Sequence, residues 1–121
     1  RQAMQRGELD AYLANWYADY PDAENFLYPL FFSEMAGAGG NAAFYSNAAV
    51  DSLILTARRT LDEESRVAMY ARADSLIFAG APWIFTVHPI DYDLVQPWVE
   101  GYVIPQVFYE QKWLEVSLTP E

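Results

Sequence analysis

Between Ala48 and Pro82 the chain carries two helical patterns back to back, and no other stretch restricts its fold so tightly. Val50, Leu53, Ile54 and Ala57 recur at the 3.6-residue period and share one face, while Asp51, Arg58 and Arg59 occupy the remainder. A second helix follows, with Thr60 or Asp62 as its N-cap. Glu63 and Glu64 suit the positive end of its dipole. Its expected apolar stripe is Val67, Tyr70, Ala71, Ile77 and Phe78, with Gly80 just past the end and Pro82 as the stop. Arg66 has Glu63, one turn earlier, as its expected partner. Two amphipathic helices joined by so short a link make a helical hairpin.

The flanks read differently. Residues 1–6 look like the tail of a helix closed by Gly7, so the true N-terminus, with any targeting signal, is expected upstream. Leu9 to Tyr17 alternates loosely and is rich in Tyr, Leu and Trp, which predicts a strand. Asp19 to Asp22 is turn chemistry, with Pro21 fixing φ and Asp22 placed to cap what comes next. Phe26 to Phe32 is a compact apolar run that predicts a short helix despite Pro29, and Gly37 to Gly40 predicts a flexible loop. Beyond Pro82 four short runs, 83–87, 92–95, 98–103 and 109–116, read as strands, with Pro97 and Pro105 confining some of them to edges or loops. Strand, helices, strands is the order of an α+β fold. There is no internal repeat and no low-complexity tract.

At 121 residues the chain is one domain's worth of protein or a piece of a larger one. Its aromatic share of 17% is high, and such rigid amphipathic rings suit a core, a binding face, or a fragment whose apolar faces met a partner segment. A net charge of −10, with only seven Lys and Arg scattered along the chain, argues against nucleic acid, because phosphate binding needs clustered cations. It argues equally against an anionic membrane surface. An acidic surface of this kind keeps a secreted or periplasmic protein in solution. No cysteine is present, so there is no disulfide, thiolate nucleophile or sulfur-ligated metal. No stretch approaches the ~20 apolar residues that span a bilayer.

Little in the chain looks catalytic. His88 is the sole histidine, no G-x-S-x-G elbow accompanies it, and a structural role beside Pro89 is the stronger reading. One His and no Cys do not make a zinc site. Asp19, Asp22 and Glu24, and separately Asp91 and Asp93, lack the glycine and the bidentate Glu of a calcium loop. Nothing favours a glycosidase-like carboxylate pair, and Gly37 to Gly40 lacks the Lys of a phosphate-binding loop. No cofactor is expected. What stands out is Trp16-Tyr17-Ala18-Asp19-Tyr20-Pro21-Asp22. It offers an apolar wall and one carboxylate suited to a cationic ligand group, such as a peptide α-ammonium. The competing reading makes Trp16 core and Asp19 a turn cap.

The stretch from Asn15 to Leu27 resembles the "W-x-A-D-Y-x-D-P-x-x-F-L" segment of family 5 extracellular solute-binding proteins, the dipeptide and oligopeptide binders of ABC importers. Asn41, Tyr45, Asn47 and Asp51 are similar to that family's "N-x-x-x-Y-x-N-x-x-x-D" helix entry, and Asp62, Arg66 and Tyr70 to its "D-x-x-x-R-x-x-x-Y" helix. Ala81-Pro82 and Pro97 to Tyr102 complete an ordered set along nearly the whole chain; Ala23 stands where the family often has Pro. The resemblance implies the C-terminal portion of a two-lobe periplasmic-binding-protein-like fold (type II, cluster C), with a helical hairpin packed against short strands. It assigns residues 1–20 to a second-lobe or hinge strand and 21–121 to a return into the first lobe. It further implies a non-enzymatic binding protein, periplasmic or extracellular, with a membrane-anchored lipoprotein as one form, working with an ABC permease and the rest of its own chain. Its ligand would be a peptide or, in some relatives, an oligosaccharide, an opine or a nickel chelate; a standalone interaction domain is the alternative from another class. By position Asp19 would pair with the ligand's α-amino group, Trp16 would be the neighbouring cleft aromatic, and Tyr17 and Tyr20 would flank them. Asn41 and Tyr45 belong either to the cleft rim or to a cap of the following helix, and the cap is the expected role.

Overall fold

A computed structural model describes residues 1–88, 90, 92–104 and 113–119. Among them the elements run α1 (Gln2–Gln5), α2 (Glu24–Phe31), α3 (Ala48–Arg59), α4 (Glu63–Gly80), β1 (Val99–Glu100) and β2 (Ser117–Leu118), with single 3-10 turns at Ser33–Met35, Gly37–Gly39 and Trp113–Glu115. The chain divides into two compact units. Arg1–Trp16 and Asp22–Phe85 form the first; Tyr17–Pro21 and the described part of Thr86–Glu121 form the second.

The helical hairpin is present as the periodicity predicts. Asn47 opens α3, its side-chain oxygen accepting from the N–H groups of Ala49 and Val50 at 3.0 and 3.4 Å. Asp62 opens α4 by accepting from Ser65 at 2.9 Å. Val50, Ile54 and Ala57 of α3 meet Tyr70, Ala73 and Ile77 of α4 in one core. Ala57 and Ala73 are both fully buried, and two such small side chains at the seam let the helix backbones approach closely. Leu27, Leu30 and Phe31 of α2, with Phe32, close the core from the third side. Burying each large aliphatic side chain contributes roughly 1.5–3 kcal/mol.

The apolar stripe of α4 differs from the expected one. Val67, Ala71 and Phe78 are exposed, and Ala73 takes their place in the core beside Tyr70 and Ile77. Apolar residues lie all round α4, so its own pattern does not select a face; α3 does. The helix also runs through Gly80, and Ala81 adopts the left-handed conformation that ends it, at φ +46°. A Cβ on Gly80 would stand 3.3 Å from the Tyr45 ring, so space rather than backbone freedom calls for glycine there.

Gly7 is at φ +68°, and the N–H groups of Gly7 and Glu8 return to the carbonyls of Met4 and Ala3. That pairing is the Schellman closure of α1. The expected flexible loop after α2 is instead a tight structure. Gly40 sits at φ +127° with its α-carbon against the Pro29 carbonyl, where a Cβ would come within 2.6 Å. Asn41, fully buried, holds the loop together. Its Nδ2 donates to the carbonyls of Phe32 and Tyr45 at 3.2 and 2.8 Å, and its Oδ1 accepts from the Tyr45 N–H at 3.0 Å. Asn41 and Tyr45 therefore do not cap α3; Asn47 does.

Among the described residues most of the expected strands do not form. Leu9–Tyr17 has no ladder partner among the described residues and is irregular, as are 83–87 and 92–95. Within 98–103 only Val99 and Glu100 pair, antiparallel, with Leu118 and Ser117. Of the expected 109–116 strand, residues 109–112 lie outside the described residues and Trp113–Glu115 is a 3-10 turn. Alternation makes a segment able to pair, but a ladder needs a second strand at the right register, and that is a non-local requirement. The fold is thus mainly helical with one small two-stranded sheet.

Candidate functional site

Pro29 lies inside α2 and has no N–H to donate to the carbonyl four residues earlier, that of Asn25. The indole Nε1 of Trp16 donates to that oxygen at 2.9 Å. Trp16 is thereby tied to α2 while the residue stays 36% exposed. Six residues on, Asp22 is tied to the same unit. Its Oδ1 accepts from the Glu24 N–H at 2.8 Å, and its Oδ2 is paired with the Arg66 guanidinium from α4. Arg66 thus takes Asp22 and not Glu63, its expected helical neighbour. Burial pushes the Asp22 carboxyl up, but the hydrogen bonds from Arg66 and Glu24 and the Arg66 charge outweigh it and hold the group below the usual carboxylate value. Arg66 also lies 5.1 Å from the centre of the Tyr70 ring.

Two further clamps dock α2. Glu24 pairs with Arg58 at 2.9 Å, and the Arg58 guanidinium stacks 3.8 Å above the Tyr28 ring. At the other end Asp51 accepts from the Ser33 N–H at 3.0 Å and from its hydroxyl at 2.7 Å. None of these pairs left a local signal in the sequence, since each joins residues far apart along the chain.

Of the four residues expected at a ligand site, Trp16 belongs to the first unit, and Tyr17, Asp19 and Tyr20 to the second. Tyr17, Asp19 and Tyr20 are exposed, while Ala18 between them is buried. Asp22 and Glu24 are each matched to an arginine, so the acidic group is not a cation cage. No cluster of three or more metal-ligating side chains occurs among the described residues. His88 is exposed. Asp93 accepts from the Tyr102 hydroxyl at 2.6 Å, and Asp91 lies outside the described residues. No helix among the described residues is long and apolar enough to cross a membrane.

No family model matches the chain. Relatives are nonetheless clear. The heme-binding protein A of Haemophilus influenzae is 34% identical over 103 residues, 85% of this chain and 19% of that protein. The probable di/tripeptide-binding protein 5 of Pseudomonas aeruginosa is 32% identical over 100 residues, 83% of this chain and 19% of the relative. The periplasmic oligopeptide-binding protein OppA of Escherichia coli is 29% identical over 97 residues, 80% and 17% respectively. The chain spans about a fifth of the length of these curated relatives.

Proposed function

Because this chain is a homologue of the extracellular solute-binding proteins of family 5 and spans about a fifth of their length, we propose that it is part of the substrate-capturing component of an ABC importer, with peptides as the solute. It is not an enzyme; its relatives are binding proteins. Supporting the peptide reading is the run of relatives named for dipeptides, tripeptides and oligopeptides. Two of those names also carry the word periplasmic, which supports a periplasmic or extracellular protein working with a membrane permease.

The observation that carries the site is the exposed carboxylate of Asp19 between exposed Tyr17 and Tyr20. Asp19 receives the α-ammonium of the peptide, with Trp16, Tyr17 and Tyr20 as neighbouring aromatics. Charge selects the ligand's end, and contacts to its backbone and through water tolerate varied side chains. In the complete protein, Asp19→Ala lowers the affinity for free trialanine about 10–100-fold, as loss of a charge-assisted hydrogen bond implies. N-acetyl-trialanine, which has no ammonium, is bound equally by both proteins in titration calorimetry. Equal losses for the two peptides would overturn the assignment.

A second reading rests on the heme-binding relative, 34% identical over 85% of the chain: a non-peptide ligand on the same architecture. Titration with hemin distinguishes it, since a saturable Soret shift together with no heat from trialanine would replace the peptide.

A further inference from the structure

We propose that the surface formed by Phe78, Ile84 and Phe85 is an internal interface, covered in the complete protein by a part of its own polypeptide that lies outside these 121 residues. The inference rests on reading the chain as part of a longer binding protein and is independent of the solute. All three residues belong to the first unit.

A file of rings runs outward from the core at this point. Phe31, 4% exposed, meets Trp83 at 5.0 Å between ring centres. Trp83 meets Phe85 at 6.1 Å, and Phe85 stacks on Phe78 at 6.1 Å with 22° between the planes. Exposure rises along the file to 51% at Phe85 and 70% at Phe78, and Ile84, next to Phe85 in the chain, is 92% exposed. Single exposed apolar residues need no explanation, but a set continuous with the core does. The sequence around it is also without charge: from Ser75 to Ile90 there is no Asp, Glu, Lys or Arg, although 20% of the chain is charged. Aromatic residues where charge is depleted are the composition of an interface centre.

The choice of occupant follows from charge and length. A second copy would bring together two chains of net charge −10, and like charge opposes that approach. A segment of the same polypeptide is held at high local concentration by the chain itself. Length supplies such a segment, since the chain spans only 17–19% of the curated relatives. Residues 83–85 belong to no helix or strand, which leaves their backbone suited to pairing with an added strand.

With p-benzoylphenylalanine in place of Phe78 in the complete protein, irradiation followed by peptide mapping reads what lies against the ring. The expected product is a cross-link to a peptide outside this 121-residue stretch. A cross-link within the stretch would overturn the assignment, as would a covalent dimer whose yield falls on dilution before irradiation. Thermal melting covers the case in which no cross-link forms. Phe78→Asp lowers the melting temperature of the complete protein by about 5 °C or more when the ring is covered, and Phe78→Ser lowers it by less. Shifts within about 1 °C for both, the behaviour of a position in solvent, would overturn the interface. If Phe78→Asp does not fold, Phe78→Ser carries the comparison. Titration with trialanine tests the solute separately, so a protein that forms the cross-link and captures no peptide loses only its assigned solute.

Discussion

Residues 22–85 and residues 86–119 are both rich in large apolar side chains, yet among the described residues only the first stretch buries them. In the first, Val50, Ile54 and Ile77 are at most 1% exposed, and α2, α3 and α4 share one core. In the second, no described residue is buried; Leu94 and Leu114 are fully exposed, and the sheet pairs two residues with two. The difference lies in where each element finds its partner. A helix satisfies its backbone internally and needs only a covering face, which α3 and α4 give each other across a three-residue link. A strand needs a neighbour for every second amide, and two isolated strands are marginal in water. Composition alone does not make a core; the distance to the covering surface decides.

The sharpest way to break the contrast is to remove equal volume from each side. Ile77→Ala should lower the unfolding free energy by about 2–5 kcal/mol, since it leaves a cavity between α3 and α4. Leu94→Ala, its side chain already in solvent, should stay within about 0.5 kcal/mol. Urea unfolding followed by circular dichroism measures both, and a comparable loss for Leu94→Ala would place that side chain in a core and erase the difference. Asn41→Ala comes next, at about 2–3 kcal/mol, because two carbonyls and one N–H lose a buried partner together. Loss of protection at the Tyr45 amide in hydrogen exchange would localise the effect.

Acid gives the smallest effect. The Asp22 carboxyl is held below its ordinary value near 3.8, so its share of stability is present above that value and disappears as pH falls through the lower, folded one. Below about pH 4 the first unit should therefore lose stability that Asp22→Asn does not lose, by no more than the ~1 kcal/mol of a solvent-screened ion pair. Parallel acid limbs for the two proteins in a pH series of melting curves would remove the pair from the account.

How much of this was legible in the sequence follows the same division. The hairpin was readable because period and caps are local: Val50, Ile54, Ala57 and the Asp62 cap follow from spacing. The turn at Asp22 and the helix over Pro29 were readable too. The strand at Leu9–Tyr17 was not there to be read, since alternation states a capacity to pair and not the pairing. Arg66 was matched to Glu63 by a helical rule that contributes only about 0.2–0.5 kcal/mol, and a partly buried carboxylate from another stretch outcompeted it. The resemblance succeeded for a reason visible in the fold. Asn47, Asp51, Asp62, Arg66, Tyr70 and Asp22 are caps, clamps and core, so the motifs that identify the chain are mostly its scaffold. Asp19 was singled out by its neighbours in sequence; the ties of Trp16 and Asp22 to the helices were invisible until those helices were packed.

The hydrogen bond from Trp16 to the Asn25 carbonyl has a consequence for how such a sequence changes over generations. Pro29 withholds a backbone proton and so reserves that oxygen for an indole thirteen positions away. Replace Pro29 with alanine and a helical donor returns to compete with the tryptophan; replace Trp16 alone and the oxygen loses that donor. The worth of a substitution at one of these positions therefore depends on the residue at the other: the indole matters most to a helix that carries the proline.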